Sequence, residues 1–209
     1  MDKAFSEFKH IIFDLGNVLL PIDFNAPVKA FKSIGLTDFD RLYGEIQQTN
    51  LFNLLETGKI PEADFCDEMR RISGLNWTDK QIDDAWSTII LDFRASTFAM
   101  LEQLAESHVL YLLSNTNSIH FTHYNQQIID RFHPGGLNAY FKKAYYSHEL
   151  GMRKPDSNIF EAVLQDAALT PQDCLFIDDN EANIISAKAL GFNVHHHKPK
   201  EKIENLFSS

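Results

Sequence analysis

Two textures alternate along the chain. Short unbroken apolar runs close on polar residues at His10-Ile11-Ile12-Phe13-Asp14, Val109-Leu110-Tyr111-Leu112-Leu113-Ser114, Ala144-Tyr145-Tyr146-Ser147 and Cys174-Leu175-Phe176-Ile177-Asp178, with Phe192-Asn193-Val194-His195 a weaker fifth. Runs of this length suit strands buried on both faces, as in a parallel sheet. Between the later runs the apolar positions recur at helical spacing: Phe98, Leu101, Leu104 and Ala105; Phe160, Val163, Leu164 and Ala167; Ala182, Ile185 and Ala189. Strand alternating with helix predicts an α/β fold with a doubly wound parallel sheet. Ligands of such sheets sit at the carboxyl ends of the strands. Those ends carry Asp14, Ser114, Ser147 and the pair Asp178 and Asp179.

The stretch after the first run differs. From about Ile22 to Arg94 there is no buried-strand run, only helical pattern with punctuation. A helix from about Asn25 to Ile34 ends at Gly35. Pro61-Glu62 predicts a helix with Pro at its first position, stopped at Ser73-Gly74. Thr78-Asp79-Lys80-Gln81 fits a capping box. The expected organisation is a core of residues 1–20 and 95–209 with a small helical bundle, 21–94, inserted between its first two strands. The polar tail Lys198 to Ser209 predicts a short terminal helix or a frayed end.

Composition narrows the function. Of 209 residues, 19 are Lys or Arg and 29 Asp or Glu, a net charge of -10. Such a chain repels nucleic acid and anionic membranes, so neither is an expected partner. An anionic ligand must be captured locally, by a metal, a Lys or aimed N–H groups. Cys66 and Cys174 are widely spaced, which indicates core packing and no zinc or disulfide framework. Acids in the first seven residues, where a secretory leader has basic and apolar regions, suggest a cytoplasmic protein. No feature sets an oligomeric state.

Four positions bear chemistry. Asp14, ending the first run, suits a nucleophile, a metal ligand or a turn cap. The loop Ser114-Asn115-Thr116-Asn117 offers a hydroxyl, an amide and N–H groups for a phosphate, or an N-cap for the next helix. Lys154, just before a helix opening at Asp156 or Ser157, would in isolation be a solvated charge. Asp178-Asp179 is the most specific feature, because adjacent acids after an apolar strand repel each other unless a cation compensates them.

In this order, over residues 8–20 and 95–197, these features resemble the haloacid-dehalogenase-like (HAD) superfamily. Phe13-Asp14-Leu15-Gly16-Asn17-Val18, Leu113-Ser114-Asn115-Thr116-Asn117, Leu150-Gly151-Met152-Arg153-Lys154-Pro155 and Phe176-Ile177-Asp178-Asp179-Asn180 are similar to its branch containing bacterial alpha-D-glucose-1-phosphate phosphatase. The resemblance implies a Rossmann-like core with a helical cap and Asp14 as a nucleophile forming an aspartyl-phosphate. It implies that Ser114 and the Asn115 amide hold phosphate oxygens and that Lys154 offsets charge. Mg2+ would be held by Asp14, the Gly16 carbonyl and Asp179, with Asp178 a ligand through water or in support. Asn183 would orient Asp179, unless it is a plain helix-face amide.

One departure stands out. The family pattern Asp-x-Asp-Gly places a proton-donating Asp where this chain has Gly16, followed by Asn17. Metal binding through the Gly16 carbonyl survives, but a general acid worth roughly 10²–10⁴-fold is missing. Asp23 could stand in, although a helix cap accounts for it. His120, His123 and His195-His196-His197 adjoin no carboxylate motif and are read as packing or surface groups. Lys142, Lys143, Arg153 and Lys154 suggest a basic patch at the mouth, or ordinary solvated charge. In capped members the cap supplies specificity contacts, and Glu56-Thr57-Gly58-Lys59, with Glu56 foremost, is the candidate turn. The expected activity is Mg2+-dependent hydrolysis of a small phosphorylated metabolite, a sugar phosphate such as glucose 1-phosphate. A catalytically weak phosphate-binding or regulatory protein and a dehalogenase are the alternatives.

Overall fold

The computed structural model describes residues 7–199 and 201–207. The leader reading of the first residues and part of the tail (Lys200, Ser208, Ser209) therefore lie outside the described residues. Five strands form one parallel sheet: β1 (His10–Phe13), β2 (Val109–Ser114), β3 (Lys143–Tyr146), β4 (Cys174–Asp178) and β5 (Asn193–His196), in the order β3-β2-β1-β4-β5. Alternation on the central strands feeds two cores. Ile11, Phe13, Leu110, Leu112, Leu175 and Ile177 face one, while Ile12, Tyr111, Leu113, Cys174 and Phe176 face the other. Chain order reverses at β1, so the crevice beyond its carboxyl end is the natural ligand site of this topology.

Five helices fill the expected insert: α1 (Asn25–Ser33), α2 (Phe39–Gln48), α3 (Leu51–Glu56), α4 (Glu62–Ser73) and α5 (Asp79–Ser87). They bury a cluster of their own around Phe31, Phe65, Met69 and Trp77, joined by Ile119 from the core. The Trp77 indole donates to the Ile34 carbonyl at 2.9 Å. Thr78 and Gln81 form the full capping box at the start of α5. Gly35 is left-handed, at φ 101°, just past α1. Pro61 is not the first helical residue: its backbone is extended, at ψ 153°, and α4 begins at Glu62.

The two chain crossings between this bundle and the sheet run side by side. Ile22 bridges Ile90 in antiparallel fashion. Asp23 N–H donates to the Ile89 carbonyl at 2.9 Å, and Leu91 N–H to the Pro21 carbonyl at 3.1 Å.

The remaining helices are α6 (Ala95–Ala105), α7 (Ser118–Arg131), α8 (Ser147–Leu150), α9 (Ser157–Asp166) and α10 (Glu181–Ala189). Phe98, Leu101 and Leu104 of α6 are buried while Ala105 is exposed; Phe160 and Val163 of α9 are buried, with Leu164 and Ala167 half-buried. The expected inner face of α10 is wrong. Ala182, Ile185 and Ala189 are exposed, and Asn183, Ile184 and Ala187 face inward. The tail forms a single 3-10 turn, Ile203–Leu206. Both cysteines are free and buried. Among the described residues no helix is long and apolar enough to cross a membrane.

Candidate active site

The carboxyl ends of the three middle strands build the floor of a cavity of about 670 Å³. Phe13 lies opposite Leu112 on one side and Ile177 on the other, so the next residue along, Asp14, emerges between the ends of β2 and β4. Its N–H continues the ladder to the Ile177 carbonyl at 2.9 Å. Asp14, Asp178 and Asp179 bring carboxylate oxygens within 4.8 Å of one another.

Lys154, 1% exposed, reaches into this group. Its Nζ donates to Asp14 Oδ1, Asp178 Oδ2 and the Leu113 carbonyl, each at 2.7 Å. Three acceptors use all three protons of the ammonium. Burial alone would push the Lys154 pKa down, but Asp14 and Asp178 outweigh it and hold the group above its usual value. Lys154 is thus a buried ion-pair partner and not the solvated charge it would be in isolation, and it adds nothing to a basic patch. Arg153 pairs with Glu56 at 3.1 Å and Lys143 with Asp166 at 2.7 Å, so these charges are separately neutralised.

The acids are not equivalent. Asp178 is fully buried and fully bonded: Asn183 Nδ2 donates to both its oxygens at 3.0 Å, Asn180 N–H to Oδ1 at 2.8 Å, and Lys154 to Oδ2. Asn183 thus orients Asp178, not Asp179. Asp179 is half-buried and accepts one bond at Oδ2, from Asn17 Nδ2 at 2.9 Å. Asn17 has a left-handed backbone, φ 56°, a conformation that Asn tolerates better than most non-glycine residues. It supplies the turn that Gly gives in the family pattern and also holds an acid. The reading of Asn17 as a departure alone missed that second role.

Burial pushes the Asp14 carboxyl up to about 7, with Lys154 offsetting part of the rise and Asp178 adding to it. Burial also raises Asp179, against the Asn17 bond. With all three ionised, the carboxylates facing one ammonium leave two uncompensated negative charges, which Asp14 relieves by keeping a proton when no cation is bound. A hard divalent cation with oxygen ligands matches both that deficit and the donor set, so the residues fit Mg2+. Asp14 and Asp179 have oxygens to offer it, whereas Asp178 is committed to support.

In the loop after β2, Ser114 and Asn115 line the cavity. The Asn115 side chain is spoken for, because its Oδ1 accepts from Lys154 N–H at 2.9 Å and its Nδ2 donates to the Lys154 carbonyl at 2.8 Å. This clasp fixes the Lys154 backbone and occupies the Asn115 side-chain amide. The Thr116 N–H donates to Ser147 Oγ at 2.9 Å. Asn117 caps α7, accepting from His120 N–H at 2.9 Å. The loop is therefore an N-cap as well as part of the cavity.

The roof belongs to the helical insert. Phe24, Phe39, Tyr43, Phe52 and Trp86 line it, with Glu56 at the end of α3 and Arg153 from the core. Phe52 stacks on Trp86 at 4.7 Å, and Trp86 on His120 at 5.3 Å. The Glu56 carboxyl is raised by burial, with Arg153 opposing. The next turn is pressed onto the sheet domain: Gly58 is left-handed at φ 61°, and a Cβ there would lie 2.1 Å from the His148 carbonyl oxygen.

Asp23, His120 and His123 have structural partners, and of the three His120 lines the cavity. Asp23 accepts from the Asn25 N–H at 2.8 Å, a cap contact, and is absent from the lining. His120 is held by the Trp86 carbonyl at 3.3 Å and by Asn117, and burial lowers its pKa to about 4. His123 meets Gln127 at 3.2 Å. The aromatic wall was missed because aromatic residues at helical spacing read as core. Arg153 was noted only as charge.

Comparisons with known proteins match this geometry. Residues 8–191 match the family described as haloacid dehalogenase-like hydrolase. The chain is 33% identical over 186 residues to D-ribitol-5-phosphate phosphatase of Bacteroides thetaiotaomicron, covering 88% of this chain and 89% of that one. A crystal structure of the HAD family enzyme BT-2542 from the same organism, in complex with magnesium and inorganic phosphate, is 35% identical. It superposes with a TM-score of 0.89 over 96% of this chain and 100% of its own. A predicted HAD-like family hydrolase from Porphyromonas gingivalis is 32% identical, with a TM-score of 0.82 and 93% of each chain covered.

Proposed function

The chain belongs to the haloacid dehalogenase-like hydrolases, and we propose that it is a Mg2+-dependent phosphatase acting on a small polyhydroxylated phosphate. A sugar phosphate such as glucose 1-phosphate and a polyol phosphate are the two forms that fit. Asp14 is the nucleophile: its carboxylate attacks phosphorus, the bond to the substrate oxygen breaks, and water then cleaves the acyl phosphate formed on Asp14. Lys154 holds Asp14 in place and offsets its charge as an anionic phosphate approaches. Ser114 Oγ and the Asn115 backbone N–H hold phosphate oxygens. Asp14, Asp179 and the Gly16 carbonyl are the ligands for Mg2+, and Asp178 positions Lys154. When bound, Mg2+ supplies the positive charge that lets a carboxylate and a phosphate meet. No acid at Gly16 protonates the leaving oxygen, so charge builds there during departure. The cap, residues 21–94, sets the substrate.

One observation carries the substrate class. The cavity is lined by two residues with buried polar atoms that make no hydrogen bond among the described residues, Trp86 Nε1 and Arg153 Nε. Such atoms are costly to leave unpaired; both are N–H donors, and the oxygens of a chain of hydroxyl groups supply acceptors for them. The relative that hydrolyses D-ribitol 5-phosphate supports the same class. The test is phosphate release from glucose 1-phosphate, D-ribitol 5-phosphate, a hexose 6-phosphate and a plain alkyl phosphate, with Mg2+ and with chelator. Metal-dependent release that favours the hydroxylated substrates is expected. Equal kcat/KM for the alkyl phosphate would overturn the substrate class, and no metal-dependent release would overturn the activity.

A further inference from the structure

Away from the cavity, the last strand and the tail converge on a second ligand set. His195 and His197, two apart at the end of the edge strand β5, point to one side. The following turn returns Glu201 to them. Its N–H donates to the Lys198 carbonyl at 3.1 Å and its Oε2 accepts from Lys198 N–H at 3.1 Å. His195 Nε2 lies 3.8 Å and His197 Nδ1 3.6 Å from Glu201 Oε2, and the three ligand atoms lie within 4.8 Å of one another. In the sequence these histidines adjoin no carboxylate motif. Glu201 is that carboxylate, delivered by the turn.

These spacings exceed a hydrogen bond and approach the roughly 3.3 Å expected between ligands of a tetrahedral metal bonded at about 2.0–2.1 Å. The tautomer of His197 points the same way. Its Nε2 meets the Glu201 backbone carbonyl at 3.1 Å, an acceptor only, so that nitrogen carries the hydrogen. In the neutral ring Nδ1 is then a bare lone pair. It is buried, on a residue 1% exposed, has no hydrogen-bond partner among the described residues, and lies 3.6 Å from a carboxylate oxygen. A bare lone pair 3.6 Å from a carboxylate oxygen, with no hydrogen between them, leaves a place for a cation. A ring N–H anchored on a backbone carbonyl while the other nitrogen is presented is the usual setting of a metal-binding histidine.

We propose that His195, His197 and Glu201 form a second divalent-metal site, for zinc or a similar borderline ion. Two imidazoles with one carboxylate favour such an ion over Mg2+, which separates this site from the all-oxygen set around Asp14. The side chains of His195 and Glu201 are 22% and 32% exposed, giving the ion an entry path from solvent. The site is structural. It clips the turn that leads into Ile203, fully buried against the core beneath α6, onto the sheet edge.

The probes are Co2+ and Zn2+ added to the metal-stripped full chain in excess Mg2+, in wild type and in an Asp179→Asn background that weakens the other site. One equivalent of Co2+ should give visible d–d absorption that Zn2+ abolishes, and Zn2+ should raise Tm. His195→Gln and Glu201→Gln, at partly exposed positions, should each weaken Co2+ binding at least about tenfold and remove the Zn2+-dependent rise, with the circular dichroism unchanged. Absence of the band, or a band lost in Asp179→Asn and kept in His195→Gln, would overturn the proposal. If Glu201 merely pairs with a protonated His197, Glu201→Gln lowers Tm equally with and without Zn2+, which overturns it as well.

Discussion

The floor and the roof of the cavity are built by opposite means. On the floor, Lys154 and Asp178 are buried charges whose hydrogen-bonding capacity is almost wholly used by named partners. In the roof the surface is aromatic, and the charged pair Glu56–Arg153 is about one-third exposed with polar atoms left over. Saturated groups hold a geometry, while unsaturated ones await a ligand. Chemistry that does not depend on the substrate's carbon skeleton belongs on the floor, and discrimination in the roof.

The severest test of that division is Asp14→Asn. Nearly isosteric, it should leave the fold intact and lower turnover by roughly 10³-fold or more on every substrate. Asp179→Asn should act on the same side of the divide, raising the Mg2+ concentration needed. Phosphate release by Asp14→Asn at near wild-type rates would remove the covalent step.

Next in size is Gly16→Asp. The backbone is not left-handed there, and an added Cβ meets only Ile22 Cδ1, at 3.4 Å, so the loop has room. Wild-type rates should fall steeply with leaving-group pKa, and the variant should flatten the slope by up to about 10²-fold for the poorest leaving groups. A wild-type slope near zero would place a proton donor in the roof and erase the division.

Stability separates the two regions as well. Lys154→Met leaves buried acids uncompensated and should cost on the order of 3 kcal/mol in chemical denaturation. Arg153→Met, at a pair open to solvent, should cost less than about 1 kcal/mol. Equal losses would mean that the roof pair is structural.

Proton linkage gives a milder effect. Folded Asp14, raised to about 7, keeps a proton that the unfolded chain releases near pH 4. Metal-free protein should therefore lose stability as pH rises from about 4 to 7. Mg2+ must expel that proton, so its affinity should climb up to about tenfold per pH unit and level off above 7. Calorimetry in buffers of different ionisation enthalpy counts the proton. The smallest change is expected from Gly58→Ala, which forces the roof turn off the His148 carbonyl. A several-fold rise in KM for sugar phosphates, with an aryl phosphate unaffected, is the expected pattern.

The sheet was legible because its five runs are apolar without interruption, and their polar ends marked the floor. What misled was function intruding on pattern. In α10 the buried stripe contains Asn183, placed inward to hold Asp178, so apolar periodicity chose the wrong face. Lys154 is tied to the site in sequence only by its motif, because nothing local announces the acids that bury it, which arrive from Asp14 and Asp178, 140 and 24 residues away. The Asn115 clasp and the Glu56–Arg153 pair are likewise contacts between distant loops, invisible to local spacing.

The paired crossings at Pro21–Asp23 and Ile89–Leu91 have a mechanical meaning. Two separate tethers would let the helical insert swivel and slide over the sheet. A hydrogen-bonded ribbon resists twisting and shear in its own plane and yields most easily by bending across it. Any opening of the roof would thereby be confined to something near a single angular coordinate. Each return then brings the same aromatic wall back over the same carboxylates, with no search for alignment.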